Sequence, residues 1–219
     1  MLVKEVMTPH PVTIESDISV TKAQRLMKED NIRHLPVMLA NKGLVGLITR
    51  DALNRALPSE LSSLSIWEIN YQLSRIKARD VMIKKVISVT EEVTVEEAAR
   101  IMIDKKIGCL PVIRDKDLVG IVTDIDLMEA LSSLMGWRQP GVRVTVQVAD
   151  EKGELARVAT AIADAGGLLA GGGSYPAAEP LKANIIFKVR NVSFEKLKDL
   201  LSEMEKIEIL DIRESPSQA

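Results

Sequence analysis

Ile32-Arg33-His34-Leu35-Pro36-Val37 and Ile107-Gly108-Cys109-Leu110-Pro111-Val112 are one stretch written twice, 75 residues apart. Working outward, the same offset lays Val6-Met7 on Val81-Met82. It also lays Val20, Ala23, Arg25 and Met27 on Val95, Ala98, Arg100 and Met102. After a one-residue gap, Leu44-Val45-Gly46 meets Leu118-Val119-Gly120, Thr49 meets Thr123 and Leu53 meets Leu127. So many ordered matches with one gap mark an internal duplication. The units run over residues 1–57 and 77–134.

Each unit reads β-α-β-β-α. An extended stretch, Val12-Thr13-Ile14 or Val86 to Val89, precedes a helix. Thr94 and Glu97 have the spacing of a capping box, in which each side chain satisfies an orphan amide. Val95, Ala98, Ala99 and Met102 then mark one helical face, and Met27 and Met102 read as core. Leu-Pro-Val follows as a short strand, its proline near the start, where a missing amide proton is tolerated. A polar turn leads to an apolar strand, Leu44 to Ile48 or Leu118 to Val122, and then to a helix opened by Thr49 or Thr123. Between the units, residues 58–65 form a Ser-rich linker. Ile66, Ile69, Leu73 and Ile76 predict an amphipathic connecting helix ending near residue 76.

Composition narrows the function. The chain has 219 residues, 46% apolar and 27% charged, enough for a sizeable core. Basic and acidic residues number 29 and 31, so no broad positive field exists for nucleic acid. Aromatics at 3% argue against base stacking. One cysteine and two histidines exclude an internal disulfide and a Cys- or His-rich metal centre. No apolar run is long enough to span a bilayer. The opening residues lack a secretory pattern, so the expected location is cytoplasmic.

The last third is different. Pro140-Gly141 punctuates the chain after a linker at 135–140. Val142, Val144, Val146 and Val148 alternate as a half-buried strand. A helix follows with Leu155, Val158, Ala159 and Ile162 on its apolar face, stopped by Ala165-Gly166-Gly167. A glycine-rich strand or loop runs to Pro180, and Asn184 to Val189 is a strand. Ser193 caps a helix with Leu197, Leu200, Leu201 and Met204 inward, and Ile207 to Ile212 closes the order β-α-β-β-α-β. That is the ferredoxin-like plan, over residues 141–214 with a tail at 215–219. Gly171-Gly172-Gly173 is followed by no Gly-Lys-Ser/Thr, so it reads as a mobile loop or bulged edge strand rather than a phosphate loop.

Val-Met-Thr-Pro near the start, Ile32 to Val37, and Val-Gly-Leu-Ile-Thr at 45–49 together resemble a CBS domain. Unit 2 matches better, through Ile107 to Val112 and Gly120 to Asp126, and the tandem pair resembles a Bateman module. The resemblance implies a disc with two clefts for adenosine-containing ligands, and pairing into homodimers. A nucleotide site needs an apolar slot, a carboxylate for the ribose, and donors for phosphate. Thr123 and Asp126 stand three apart at a helix opening, where a hydroxyl can cap and the N-terminus favours anions. Carried over from the family, the primary cleft combines them with Met7, His10, Val12, Ile32, Arg33 and His34. Met7, Val12 and Ile32 form the slot, and Arg33 with His34 meets phosphate. The alternatives are that Thr123 and Asp126 only cap, and that His10 is a surface loop residue.

The weaker cleft combines Thr49, Asp51, Met82, Lys85, Ile87, Ile107, Gly108 and Cys109. Ala52 holds the position of Asp126. Asp51 is one residue early, which on a helix turns it about 100° away. Gly108 and Cys109 replace the Arg-His pair, and Cys109 also reads as a buried small side chain. The clefts are expected to be unequal.

Asp150-Glu-Lys-Gly153-Glu154-Leu155 and the glycine turn after its helix resemble an ACT domain, which implies an amino acid or similar small ligand near Asp150, Gly153, Glu154 and Leu155. Glycine there lets backbone amides approach a carboxylate; the alternative is a turn that only shapes a dimerising domain. The combination resembles acetoin-utilization-type CBS–ACT regulatory proteins. The expected function is a non-catalytic metabolic sensor that binds AMP, ATP or another adenosine compound, requires no cofactor, and signals to an effector protein through dimer or interdomain rearrangement. A dimerisation adaptor with degenerate sites is the alternative. A nucleotide hydrolase or a DNA-binding regulator fits less well, since no nucleophile–base pair, metal cluster or basic stripe stands out.

Overall fold

The computed structural model describes residues 1–40, 42–55 and 75–215. They divide into two compact units, Met1–Leu127 and Met128–Ala219. The expected linker and most of the connecting helix fall on residues 56–74, outside the described residues.

Unit 1 opens with α1 (Val3–Val6), β1 (Thr8–Pro9), β2 (Ile14–Glu15), α2 (Val20–Glu29), β3 (His34–Leu39), β4 (Gly43–Thr49) and α3 (Arg50–Arg55). It continues with α4 (Ala78–Val81), α5 (Val95–Lys105), β5 (Cys109–Arg114) and β6 (Asp117–Thr123). The helix α6 (Asp124–Leu134) crosses the division between the units. The β-α-β-β-α order holds in repeat 1; in repeat 2 the stretch Val86 to Val89, expected as the first strand, contributes only an isolated parallel bridge, Val89↔Val112, ahead of α5. Ser19 Oγ accepts from the Lys22 amide and Thr94 Oγ1 from the Glu97 amide, starting α2 and α5. Val20, Ala23 and Met27 are buried from α2, and Ala98 and Met102 from α5. The capping box at Thr94 is only half formed. The Glu97 carboxylate turns outward to Arg100 instead, a charge-assisted pair one helical turn along.

The strands explain the one-residue gap between the repeats. β3 and β4 pair antiparallel from His34↔Thr49 to Leu39↔Gly43, while β5 and β6 pair from Cys109↔Thr123 to Arg114↔Asp117. The first hairpin turns through one residue more. Both carry a register shift at the same place, Val37/Met38 and Val112/Ile113.

The sequence repeats are not the packing units. The segment opening each repeat packs on the other repeat. Val3 is fully buried among Val89, Ala98, Leu110 and Val122 of repeat 2, and β1 joins β6 (Thr8↔Ile121, Pro9↔Gly120). Reciprocally, Ala78 is buried among Val20, Leu35 and Ile48 of repeat 1, and Ile83 bridges Leu47. Backbone bonds repeat the exchange with the 75-residue offset. Val3 N donates to Val93 O at 2.8 Å, and Ala78 N donates to Ile18 O at 2.8 Å. Two matched glycines admit the crossing methionines. A Cβ on Gly120 would overlap the Met7 sulfur, and one on Gly46 would overlap the Met82 sulfur.

Unit 2 contains β7 (Gly141–Ala149), α7 (Glu154–Asp164), β8 (Leu168–Pro176), β9 (Lys182–Arg190), α8 (Phe194–Glu203) and β10 (Glu208–Ser215). The sheet order is β10-β7-β9-β8, all antiparallel, which is the ferredoxin-like arrangement. Val142, Val144, Val146 and Val148 meet Val158, Ile162, Leu197 and Leu201 in one core. The glycine triplet lies in β8, an edge strand with a register shift at Leu169/Gly171. A Cβ on Gly171 would overlap the Leu134 carbonyl, so this close approach, not a phosphate, requires glycine there.

Candidate functional site

A cavity of about 450 Å³ opens in unit 1 between the two repeats. Repeat 1 supplies Arg33 and His34 at the start of β3, Leu47 and Thr49 from β4, and Arg50, Asp51 and Arg55 from α3. Repeat 2 supplies Ile83, Lys85, Val86 and Ile87, then Lys106 to Cys109, and Asp124 at the start of α6. A concave site of this size, with an apolar wall and a few convergent polar groups, suits a small organic ligand.

Leu47, Val86, Ile87, Ile107 and Cys109 give the apolar wall. Thr49 Oγ1 accepts from the Ala52 amide at 3.1 Å and so caps α3. Arg33 Nη2 donates to Asp124 Oδ1 at 3.1 Å. Both side chains are more than 40% exposed, so solvent screens this ion pair. Burial and the neighbouring Arg33 hold the His34 imidazole below its usual value; Asp124 and Asp51 oppose that shift. His34 is therefore neutral at pH 7. Burial, reinforced by Asp124, pushes the Cys109 thiol up to about 12, which leaves it protonated and a poor nucleophile.

The residues read as the weaker cleft are those the cavity unites. Thr49, Asp51, Lys85, Ile87, Ile107, Gly108 and Cys109 all line it; Met82 instead packs against the repeat 1 core. Asp51 lines the cavity in spite of its one-residue offset, while Ala52 is buried at 7% exposure. Of the residues read as the primary cleft, only Arg33 and His34 line this cavity. Met7 sits against Gly120, and Ile32 packs on the repeat 1 core. His10 is exposed with φ 49°, its amide donating to Val119 O, and Val12 is exposed. Asp126 Oδ2 accepts from both the amide and the hydroxyl of Thr123, each at 2.7 Å, an N-terminal clasp for α6.

Sequence reasoning passed over Arg50, Arg55, Lys106 and Asp124. The signal was adjacency. Arg50 and Asp124 follow the capping threonines directly, and Lys106 precedes Ile107.

In unit 2, Gly153 adopts φ 93° as the N-terminal cap of α7, and Glu154 pairs with Arg157. The Asp150 amide donates to Leu181 O, and Leu155 is exposed. A second cavity of about 490 Å³ lies near the end of β7, lined by Gln147 to Ala149, Pro180 to Lys182 and Lys206 to Glu208; none of these four residues lines it. Among the described residues no group of three or more His, Cys, Asp or Glu is arranged to hold a metal ion, and no helix is long and apolar enough to cross a membrane.

Residues 3–59 and 78–133 match the CBS domain, once for each repeat. The chain belongs to the CBS-domain family. This CBS chain is 34% identical over 154 residues to the uncharacterized protein MJ1426 of Methanocaldococcus jannaschii, across 60% of this chain and 91% of that protein. Enzymes also match, but over little of their own length, such as 23% of a homoserine O-acetyltransferase from Methanohalobium evestigatum. Among solved structures, a protein assigned to acetoin utilization (AcuB) from Vibrio cholerae shares 33% identity at a TM-score of 0.51, over 60% of this chain and 90% of that one. The CBS domain pair of protein MJ0100, in complex with 5′-methylthioadenosine and S-adenosyl-L-methionine, shares 28% identity at a TM-score of 0.50, over 60% and 96%. The family match ends at residue 133.

Proposed function

We propose that the chain is a cytoplasmic, non-catalytic sensor that binds an adenosine-containing ligand in the cavity between its CBS repeats. The observation that carries this is the cavity itself. Both repeats build it, it has an apolar wall, and the related MJ0100 pair is in complex with two adenosine compounds. In this reading Ile87 and Ile107 flank the base, Asp51 accepts from the ribose hydroxyls, and the surrounding cations meet what the ribose carries. Residues 141–214 act as an ACT domain, a reading supported by the β-α-β-β-α-β order and the Gly153 turn. An amino acid or similar metabolite is its ligand class, and Asp150, Gly153, Glu154 and Leu155 are its candidate contacts. Homodimerisation is favoured by Ile125, Met128 and Leu131 of α6, spaced by three and more than half exposed. The ligand acts on an effector protein only if it prefers one of two shapes.

Calorimetric titration of the full chain with AMP, ATP, NAD and S-adenosylmethionine tests this. Binding of one of them at one per chain, lost in an Ile107→Asp variant that melts normally, supports the cavity. No binding by any leaves dimerisation as the function, which buried Ala52, in the place of a ribose carboxylate, would suit.

A further inference from the structure

The face of the unit 2 sheet that turns away from its helices carries a row of like charges. Side chains alternate along β7, so Val142 and Val144 enter the core while Arg143 points to the other face. Lys188 alternates in the same sense between Phe187 and Val189, and Arg213 follows the core residue Ile212. The register sets Arg143 directly opposite Lys188 on β9 and directly opposite Arg213 on β10. Three cations therefore stand side by side across three strands, spaced by about 4.8 Å. Like charges directly opposite each other destabilise a sheet, so the row calls for a compensating group.

Among the described residues one carboxylate pairs with this row. Asp211 accepts from Arg143 Nη1 at 2.5 Å and from Arg213 Nε and Nη2. Lys188 has no acidic partner. It is 3% exposed, and its ammonium reaches only the Gly141 carbonyl, at 3.5 Å, the limit of a hydrogen bond. One long bond to a carbonyl does not repay the burial of an ammonium. Burial and the nearby Arg143 hold the Lys188 amine below its usual value. Gly136 covers the stem closely, since a Cβ there would come within 3.2 Å of Lys188 Cβ and Cγ, so the ammonium is fixed in advance. Arg143 keeps its Nη2, and Lys188 two of its N–H groups, without an acceptor among the described residues. Beside Gly141 lies a cavity of about 460 Å³, lined by Gln139, Pro140, Gly141, Arg190 and Asn191.

We infer that this row is a binding site for a phosphate monoester group, held between Arg143 and Lys188 with Arg213 at its edge. The site is separate from the cavity between the CBS repeats and lies at the opposite end of β7 from Asp150. Charge and size both favour phosphate. Three cations against one carboxylate leave two positive charges, and a phosphate monoester carries close to two negative charges on one compact group. A guanidinium and an ammonium on adjacent strands can share its oxygens. A dicarboxylate spreads the same charge over two separate groups. The cavity beside Gly141 leaves room for the body of the ligand.

The test is titration of the isotope-labelled full chain with inorganic phosphate, glycerol 3-phosphate and succinate at constant ionic strength, followed by amide NMR shifts. Both phosphates are expected to shift the amides of residues 141–143, 188–190 and 211–213 saturably and to raise Tm. Succinate is expected to bind about tenfold more weakly, the scale of one charge-assisted contact. Lys188→Met keeps the stem and removes the charge. Without phosphate it should melt at or above the wild-type temperature, because the repulsion from Arg143 is gone. With phosphate it should lose the rise in Tm and about tenfold in affinity. Arg143→Gln should lose a similar factor, and it carries the test if Lys188→Met does not fold. Arg33→Gln, in the unit 1 cavity, should leave the affinity read at these amides within about twofold. Shifts that sodium chloride alone reproduces overturn the inference, since they reflect screening. Succinate binding as tightly as phosphate, or phosphate affinity unchanged in both row variants, overturns it as well. None of these results touches the sensor reading.

Discussion

Gly120→Ala places one methyl group where the opening segment crosses onto repeat 2. Its Cβ would overlap the Met7 sulfur, 3.1 Å from Met7 Cγ and 3.2 Å from Thr8 O. The sulfur can swing aside, but the Thr8 carbonyl is fixed by the pairing of β1 with β6. Overpacking of this kind costs about 1–3 kcal/mol. Gly120 does not need a left-handed backbone, so alanine in a strand returns about 0.5–1 kcal/mol. The expected net loss is about 1 kcal/mol, or about 3–6 °C in Tm for a unit of this size. Thermal and urea unfolding, followed by circular dichroism, measure it. The decisive control is Met7→Ala, which removes the group that clashes. Combined with Gly120→Ala, it should destabilise by about 1 kcal/mol less than the sum of the single changes. Additivity within about 0.5 kcal/mol would refute the argument that Gly120 exists to admit Met7. Gly46→Ala with Met82→Ala should behave in the same way on repeat 1.

Asp126→Ala removes both acceptor bonds to Thr123 and should cost about 1 kcal/mol of stability. Because Asp126 does not line the cavity, nucleotide affinity measured by calorimetry should stay within about twofold of wild type, the limit of an indirect effect. A loss beyond tenfold would mean that the ligand uses Thr123 and Asp126 after all. His34, with its folded-state value depressed, binds fewer protons folded than unfolded at mildly acidic pH. Its contribution is therefore complete above the unfolded value of about 6.5 and is lost as pH falls through it toward the lower folded value. Urea midpoints from pH 5 to 8 should rise across that window, and His34→Gln should flatten the rise; identical profiles would exclude His34 as the source. Cys109 should react with a thiol reagent at pH 8 only on unfolding, given its burial and raised value. Rapid labelling of native protein would show the β5 end open to solvent.

The helices and strand hairpins of both repeats and the ferredoxin-like order were legible because each rests on local patterns. Alternating valines, capping threonines and helical apolar faces need no knowledge of distant partners. The exchange of opening segments lay outside those local patterns, and only the family resemblance set Met7 beside Thr123 and Met82 beside Thr49. Val6-Met7 and Val81-Met82 match each other in sequence, but nothing in the match tells which repeat they cover. The site followed suit. The motif residues that gather on the cavity, Thr49, Lys85 and Gly108 among them, could be named from the duplication. That Asp51 lines the cavity while Asp126 turns back to Thr123 depends on side-chain orientation, which the motif does not carry. The Glu97 side chain gives the same lesson on a small scale, since an arginine one turn away outcompeted the expected backbone amide.

The crossing segments also impose a schedule on synthesis. Residues 1–9 find their sheet only when β6 exists, more than a hundred residues later, whereas residues 76–83 complete repeat 1 as soon as they leave the ribosome. Repeat 1 can therefore close early, while Val3, Val6 and Met7 wait exposed for repeat 2. Such late, non-local pairing slows folding and leaves apolar chain open to chaperones in the interval. A gene fragment encoding either repeat alone would always lack one piece of its own core and carry one piece of the other's.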